Sequence, residues 1–282
     1  MSRTNERIRD SRLRYKKTLG QSFLYDEDLL RSLVAAAGIT AEDDVLEIGP
    51  GAGSLTKHLC AAAHRVLALE LDERLIPLLS AFMEGTDNFT LVQGDVMTAN
   101  LPELTADLRR PFCVAANIPY YITTPLITLL LQSGLPIRLM ALMVQREVAD
   151  KLLAEPGGEN WCPLSVRTRY HCEPRLAMEV PASCFTPPPK VDSAFVVMPV
   201  RQAPSVRVRS EADFFAVVGA AFALRRKTLV NSLSATLRLE RGAASALVEK
   251  AGLDPLIRGE RLTMEDFARL ADAYTASKEA AS

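Results

Sequence analysis

Between residues 45 and 145 the chain alternates apolar runs of strand length with stretches of helical spacing, and few folds accommodate that order. VLEIG (45–49), RVLALEL (65–71), FTLVQGD (89–95), FCVAAN (112–117) and RLMALMVQ (138–145) are the apolar runs, and SLTKHLCAAA, DERLIPLLSAFME, TTPLITLLLQSG and REVADKLLAE are the helical stretches among and after them. This pattern is the signature of βαβ units and a mostly parallel sheet with helices on its faces. Several of the helical stretches open on Ser, Asp or Thr, whose side chains cap the first free amides. PRLAMEV (174–180) and SAFVVMPV (193–200) are joined by a Pro-rich turn too short for a parallel crossover, so these two runs are expected to pair antiparallel.

After Pro204 the pattern changes. ADFFAVVGAAFALR, KTLVNSLSATL, AASALVEKAG and TMEDFARLADAYTA are all helical in spacing, with no strand candidate among them. The expected organisation is a basic arm over residues 1–20, an α/β domain over 21–202 and a small all-helical domain over 203–282.

The composition, 48% hydrophobic and 24% charged, is that of a globular chain. No apolar run approaches the roughly 20 residues of a membrane-spanning helix. The arginine-rich start has no apolar core of a secretion signal, so a cytoplasmic protein without membrane contact is expected. The cysteines, odd in number, show no C-x-x-C spacing and form no ligand pair with the histidines, so reduced thiols and no metal site are expected. The formal net charge is −1, but the charge is uneven. Residues 1–20 hold Arg3, Arg7, Arg9, Arg12, Arg14, Lys16 and Lys17 against Glu6 and Asp10, and residues 201–241 are similarly basic. Either a phosphate-binding face or ordinary helix surface accounts for such clusters.

VLEIGPGAG is a strand followed by G-x-G-x-G, a turn in which glycines let the backbone approach a ligand before the next helix. Position 54 is Ser, so Gly49 and Gly51 do not continue to the third glycine of the dinucleotide pattern, which weighs against NAD or FAD. Glu70 closes the next strand, where a carboxylate can accept both hydroxyls of a ribose, while Asp72 is suited to capping the helix that follows. Asp95 closes the third strand and is suited to accept from an exocyclic adenine amine. Three successive strand ends bearing Gly, Glu and Asp point to one adenosine-type ligand. S-adenosylmethionine fits better than a dinucleotide because it needs no second phosphate site.

The fourth run ends in Asn117-Ile118-Pro119-Tyr120. Pro119 fixes the bend at the strand end, so that the Asn side-chain oxygen and neighbouring backbone carbonyls form acceptors for one amino group, with Tyr120 as a flat face for a base. The lone pair of an adenine N6 is delocalised into its ring. Accepting hydrogen bonds from its N–H groups favours pyramidalisation and exposes that pair to an electrophilic methyl. No strong general base is needed, and positioning and desolvation dominate. Phe185, ahead of three prolines, is either a core residue or a cover for the other face of a flipped base. Tyr121 has no assigned task beyond packing.

Taken together, TLGQSFL, EIGPGAG, LELD, GDVM, NIPYYITTPL, FTPPPKVDSAF and AFALRRKTLVNSL resemble, in order and spacing, the rRNA adenine N6-dimethyltransferases, closest to the branch that modifies the bacterial small-subunit (16S) rRNA. The resemblance spans nearly the whole chain. It implies a Rossmann-like class I methyltransferase sheet of seven strands, the last antiparallel, with a helical C-terminal domain. It implies transfer of two methyls to each of two adjacent adenosines in a 3′-terminal hairpin loop of 16S rRNA, on the immature small ribosomal subunit, by a monomer using S-adenosylmethionine. By the same resemblance Gly49 and Gly51 approach the methionine part of that cofactor, Glu70 holds its ribose, Asp95 its adenine, and Gln21, Ser22 and Leu24 close over it beside Asn117. The target N6 meets Asn117 and the Ile118 and Pro119 backbone, its base between Tyr120 and Phe185. Arg14, Lys16, Lys17, Lys190, Arg225, Arg226 and Lys227 become rRNA contacts. Ser22 departs from the Asn or His usual in the family. The alternatives are a large-subunit methyltransferase of the erythromycin-resistance type and an assembly factor whose binding outweighs its catalysis; a nicotinamide oxidoreductase is disfavoured by Ser54 and by the lack of a His near any strand end.

Overall fold

The computed structural model describes residues 22–224 and 226–281. It divides into two compact units: the chain up to Ala149 with Pro174–Val200, and Asp150–Glu173 with the chain from Arg201 onward. The division differs from the expected boundary at 203, because residues 150–173 group with the C-terminal helices.

The first unit is built on one sheet. Its strands are β2 (Asp44–Ile48), β3 (Arg65–Glu70), β4 (Phe89–Gln93), β5 (Phe112–Asn117), β6 (Ile137–Gln145), β7 (Arg175–Val180) and β9 (Ser193–Pro199), and a separate two-stranded ribbon pairs β1 (Phe23–Leu24) with β8 (Phe185–Thr186). The sheet order is β4-β3-β2-β5-β6-β9-β7. Neighbours from β4 to β6 are parallel, and β9 runs antiparallel to both β6 and β7. All seven expected runs are therefore strands of one α/β sheet, with the last antiparallel. The central strands are apolar on both faces, as a covered parallel sheet requires: Val45, Leu46, Val66 and Val114 are fully buried.

The helices of this unit are α1 (Glu27–Ala37), α2 (Ser54–Ala62), α3 (Ile76–Phe82), α4 (Leu101–Leu104) and α5 (Thr123–Gln132). The expected helices left out α1, although its local signals are strong. Asp26 caps it, accepting from the Asp28 and Leu29 amides at 3.1 and 3.0 Å, and Gly38 ends it in a left-handed conformation at φ +69°. Leu30, Leu33, Val34 and Ala37 give it one buried stripe, packed with Val45 and Val66 of the sheet and Leu59 of α2.

Helix α6 (Arg146–Leu153) carries the chain into the second unit, which adds α7 (Pro163–His171), α8 (Glu211–Ala223), α9 (Leu229–Leu237), α10 (Arg241–Lys250) and α11 (Met264–Ala281). Its core gathers Trp161, Tyr170, Phe214, Leu233, Val248 and Phe267. The Trp161 indole N–H donates to the Leu262 carbonyl at 3.1 Å, satisfying the one polar atom of a buried ring. Gly259 permits the closest backbone approach in this core, since a Cβ there would overlap the Ala221 carbonyl. No helix among the described residues is long and apolar enough to cross a membrane.

Candidate active site

The chain winds outward from β2 through β3 to β4 on one side, then crosses to β5 and β6 on the other. Ligands of open α/β sheets bind beyond the carboxyl ends of the strands at such a reversal. A cavity opens there, lined by the ends of β2 to β5, by Ser22 to Leu24 and by parts of α1. Its floor is the glycine turn after β2, where Gly49 and Gly51 have φ of +68° and +60°. A Cβ on Gly51 would stand 2.9 Å from a ring carbon of Phe23, so a side chain there faces both left-handed strain and a collision.

Two successive strand ends supply acids tied to backbone amides. Glu70 is buried, and its carboxylate accepts from the Gly51 amide at 3.0 Å and from the Asp72 amide at 2.8 Å, locking the glycine turn to the end of β3. Burial pushes its carboxyl above the usual range, and those two amides oppose the shift. Asp95, after β4, accepts from the Met97 amide at 2.9 Å and lines the cavity with Glu70. Asp72 accepts from the Arg74 backbone amide at 3.2 Å and from its side chain in the turn before α3, rather than capping that helix as expected, since the helix begins at Ile76 after Leu75 with no side-chain cap.

A third carboxyl, Glu47, escaped the sequence reading. It lies in the middle of the most buried strand at 1% exposure and lines the cavity, and its Oε2 has no hydrogen-bond partner. Burial pushes its carboxyl up to about 8; Thr56 opposes the rise and the neighbouring Glu70 charge adds to it. An acid flanked by apolar residues inside VLEIG, two positions before a glycine turn, was the available signal. Among the described residues lining the cavity there is no Lys, Arg or His.

The end of β5 is neutral. Asn117 is half-buried and donates from Nδ2 to the Ser22 carbonyl at 3.3 Å, while its side-chain oxygen has no partner among the described residues. It is thus the backbone of Ser22 that is engaged here. The Ile118 amide donates to the Met143 carbonyl at 3.3 Å. Pro119, at φ −56°, begins a single turn of 3₁₀ helix over Tyr120–Ile122, and its carbonyl accepts from the Ile122 amide at 3.1 Å and the Thr123 hydroxyl at 3.4 Å. The Pro119 carbonyl is therefore already engaged, which leaves Asn117 Oδ1 and the Ile118 carbonyl as the acceptors of the expected set. The Tyr120 hydroxyl meets Ser193 Oγ at 2.9 Å, which fixes its ring at the cavity wall; burial pushes its phenol up and Ser193 opposes the shift.

The other expected site residues are distributed unevenly. Leu24 is buried and lines the cavity. Phe185 does not: it is 3% exposed, pairs with Leu24 across the small ribbon and packs with Val180 and Phe195 in the core. The expected sandwich of a base between Tyr120 and Phe185 is not present, because ribbon pairing turns the Phe185 ring into the apolar layer. Tyr121, expected to be packing, is 54% exposed at the cavity wall. Lys190 is exposed in the loop before β9, and Arg226 and Lys227 are exposed between α8 and α9 of the second unit. Arg14, Lys16, Lys17, Gln21 and Arg225 lie outside the described residues. No group of three or more His, Cys, Asp or Glu among the described residues could hold a metal ion.

The chain matches, over residues 12–276, the model of the family described as ribosomal RNA adenine dimethylase. It is 41% identical over 283 residues to the ribosomal RNA small subunit methyltransferase A of Enterococcus faecalis, covering 98% of this chain and 96% of that one. It is 42% identical over 277 residues to the protein of the same name from Geobacillus thermodenitrificans, covering 96% and 94%. Among solved structures, it superimposes on a dimethyladenosine transferase from Plasmodium falciparum with a TM-score of 0.74 at 26% identity, covering 91% of this chain and 98% of that one. The 23S rRNA methyltransferase ErmE follows at a TM-score of 0.68 and 28% identity, covering 89% and 98%. With a cavity at the sheet reversal bearing Glu70, Asp95 and Asn117 on successive strand ends, and with these matches over nearly its full length, the chain belongs to the ribosomal RNA adenine dimethylase family.

Proposed function

We infer that this enzyme transfers methyl groups from S-adenosylmethionine to the N6 atoms of two adjacent adenosines in the 3′-terminal hairpin loop of 16S rRNA. The observation that carries the reading is the lining of the cavity: carboxyls on β2, β3 and after β4, no cationic side chain among the described residues, and a neutral carboxamide at the end of β5. Such a lining suits a ligand that brings its own positive charge and repels a pyrophosphate. S-adenosylmethionine carries a sulfonium and supplies its methyl as the electrophile. The glycine turn offers backbone at close approach, Glu70 is placed to accept ribose hydroxyls, and Asp95 keeps an oxygen free of the Met97 amide for an adenine amine.

On the β5 side, Asn117 Oδ1 and the Ile118 carbonyl accept the two N–H bonds of the target amine, directing its lone pair toward the methyl donor. The half-buried ring of Tyr120, held by Ser193, stacks on the base. RNA is the partner, and Lys190, Arg226, Lys227 and the basic residues 1–20 are assigned to its phosphates. The same reading makes the protein a cytoplasmic monomer that acts on the immature small subunit. The relatives at 41% and 42% identity carry a small-subunit name, whereas the large-subunit enzyme ErmE stands at 28%, which favours the small-subunit substrate.

Tritiated methyl transfer to small and large ribosomal subunits from cells lacking these modifications tests the reading. Label recovered as N6,N6-dimethyladenosine from 16S rRNA is the expected result. Label confined to 23S rRNA would show the substrate to be wrong.

A further inference from the structure

The two phenols that follow Pro119 have opposite fates. A 3₁₀ helix has three residues per turn, so successive side chains of the turn Tyr120–Ile122 point about 120° apart. Tyr120 is turned to the cavity wall, where Ser193 Oγ meets its hydroxyl. Tyr121 lines the same cavity but is 54% exposed, and among the described residues it has no hydrogen bond or ring contact. Its backbone is nonetheless held: the Ile122 amide closes the turn onto the Pro119 carbonyl at 3.1 Å, and α5 begins at Thr123. A lone exposed apolar side chain is ordinary; its place on the rim is what counts here. Leu71 and Met97, also exposed at this cavity, follow Glu70 and Asp95 on the acidic side. Tyr121 instead puts a free aromatic ring on the neutral side, four residues after Asn117.

This placement decides which base the ring can meet. A base stacked on Tyr120 lies inside the cavity with its amine at Asn117 Oδ1. Tyr121, turned a third of a circle from Tyr120, cannot close the other face of that base. A nucleotide drawn into a pocket leaves the stack, and its neighbour in the strand loses a stacking partner. An unstacked base gains from an aromatic face. We propose that Tyr121 is the platform for the base next to the target in the RNA strand, so that two consecutive tyrosines hold two consecutive adenosines, one inside the cavity and one on its rim. A flat ring suits this task for a chemical reason. Dimethylation of one adenosine removes both N–H donors of its N6 and leaves its π face, so a stacking platform accepts the neighbour before and after it has been modified, whereas a hydrogen-bonding reader of that amine would not. The inference rests on the rRNA reading of the site and adds to it a residue for the flanking base.

Steady-state methyl transfer by the full chain to small subunits reconstituted with unmodified 16S rRNA, either intact or with one of the two adjacent adenosines replaced by an abasic nucleotide, tests this. On the intact RNA, Tyr121→Ala is expected to raise the KM for the subunit about tenfold, with kcat and the affinity for S-adenosylmethionine unchanged. Tyr121→Phe keeps the ring and is expected to restore the wild-type KM. Tyr121→Leu, which keeps bulk without a flat face, is the second variant and is expected to lose as much as Tyr121→Ala. An abasic neighbour is expected to raise the wild-type KM for methylation of the remaining adenosine about tenfold and to add nothing in Tyr121→Ala, since both changes remove the same stack. An unchanged KM in Tyr121→Ala and Tyr121→Leu, a fall in S-adenosylmethionine affinity, or an abasic penalty as large in Tyr121→Ala as in the wild type overturns the inference and leaves the rRNA reading standing. Wild-type protein that fails to methylate the intact small subunit sinks the two together.

Discussion

The two halves of the cavity rim are built by opposite means. From β2 to β4 the rim is acidic, with Glu47 and Glu70 buried and Asp95 partly exposed, and the acids are ordered by backbone amides where they are ordered at all. At β5 the rim is neutral: Asn117 is steered by the Ser22 carbonyl and Tyr120 by Ser193. A cationic cofactor gains from buried negative charge, so the acidic half can bear the cost of burial. The amine to be methylated starts neutral and becomes positive only as the bond forms. A carboxylate beside it would trap a proton before reaction, whereas a carboxamide orients it without that penalty. On the proposed function, one sheet edge separates the binding of a charge from the transfer of a methyl within a few residues.

The sharpest way to break this division is at the neutral half. Asn117→Ala is expected to lower single-turnover methyl transfer about 10²- to 10³-fold, as loss of a positioning group at a reacting centre does. Binding of immature small subunits, followed by filter retention, is expected to persist; loss of both together would make Asn117 a structural residue.

On the acidic half the largest effect is one of pH. The Glu47 carboxyl rises on folding from 4.5 to about 8, so the folded state holds a proton that the unfolded state gives up. Its contribution is fully present below pH 4.5 and is lost as pH rises through about 8, by up to about 5 kcal/mol. In the absence of ligand, thermal melts of wild type and Glu47→Gln are expected to diverge in favour of the variant as pH rises across that window. Parallel curves would show that Glu47 is already ionised.

Glu70→Gln tests the ordered acid beside it. One of the two amides it accepts loses its acceptor, and affinity for S-adenosylmethionine is expected to fall about tenfold with the methyl-transfer rate at saturation little changed. A fall in that rate with unchanged affinity would move Glu70 to the other half of the comparison. The smallest effect belongs to Tyr120→Phe, which keeps the ring and removes the bond to Ser193. About a fivefold rise in the KM for RNA is expected, with cofactor affinity unchanged.

Much of this was legible because it is local. Each of the seven sheet strands is visible in the sequence as an apolar run, and Asp26 and Gly38 mark the ends of α1 in the sequence as well. The glycine turn, Glu70, Asp95 and Asn117 were found because strand ends in a wound sheet face one crevice, and their order along the chain implies their neighbourhood. The grouping of residues 150–173 with the C-terminal helices was not visible. Trp161 and Tyr170 are apolar in any reading, and only the packed core shows that their partners are Phe214 and Phe267.

The aromatic and acidic exceptions mark the boundary between what the sequence determined and what only the tertiary structure decided. Spacing and residue type determined the sheet, its antiparallel last strand and the acceptors at the strand ends, because period and turn chemistry act over a few residues. Burial is a property of neighbours from elsewhere in the chain. Pairing with Leu24 sent Phe185 into the core, the 3₁₀ turn consumed the Pro119 carbonyl and left Tyr121 at the surface, and the closed layer of α1 and α2 over β2 left Glu47 an acid with nowhere to place its charge.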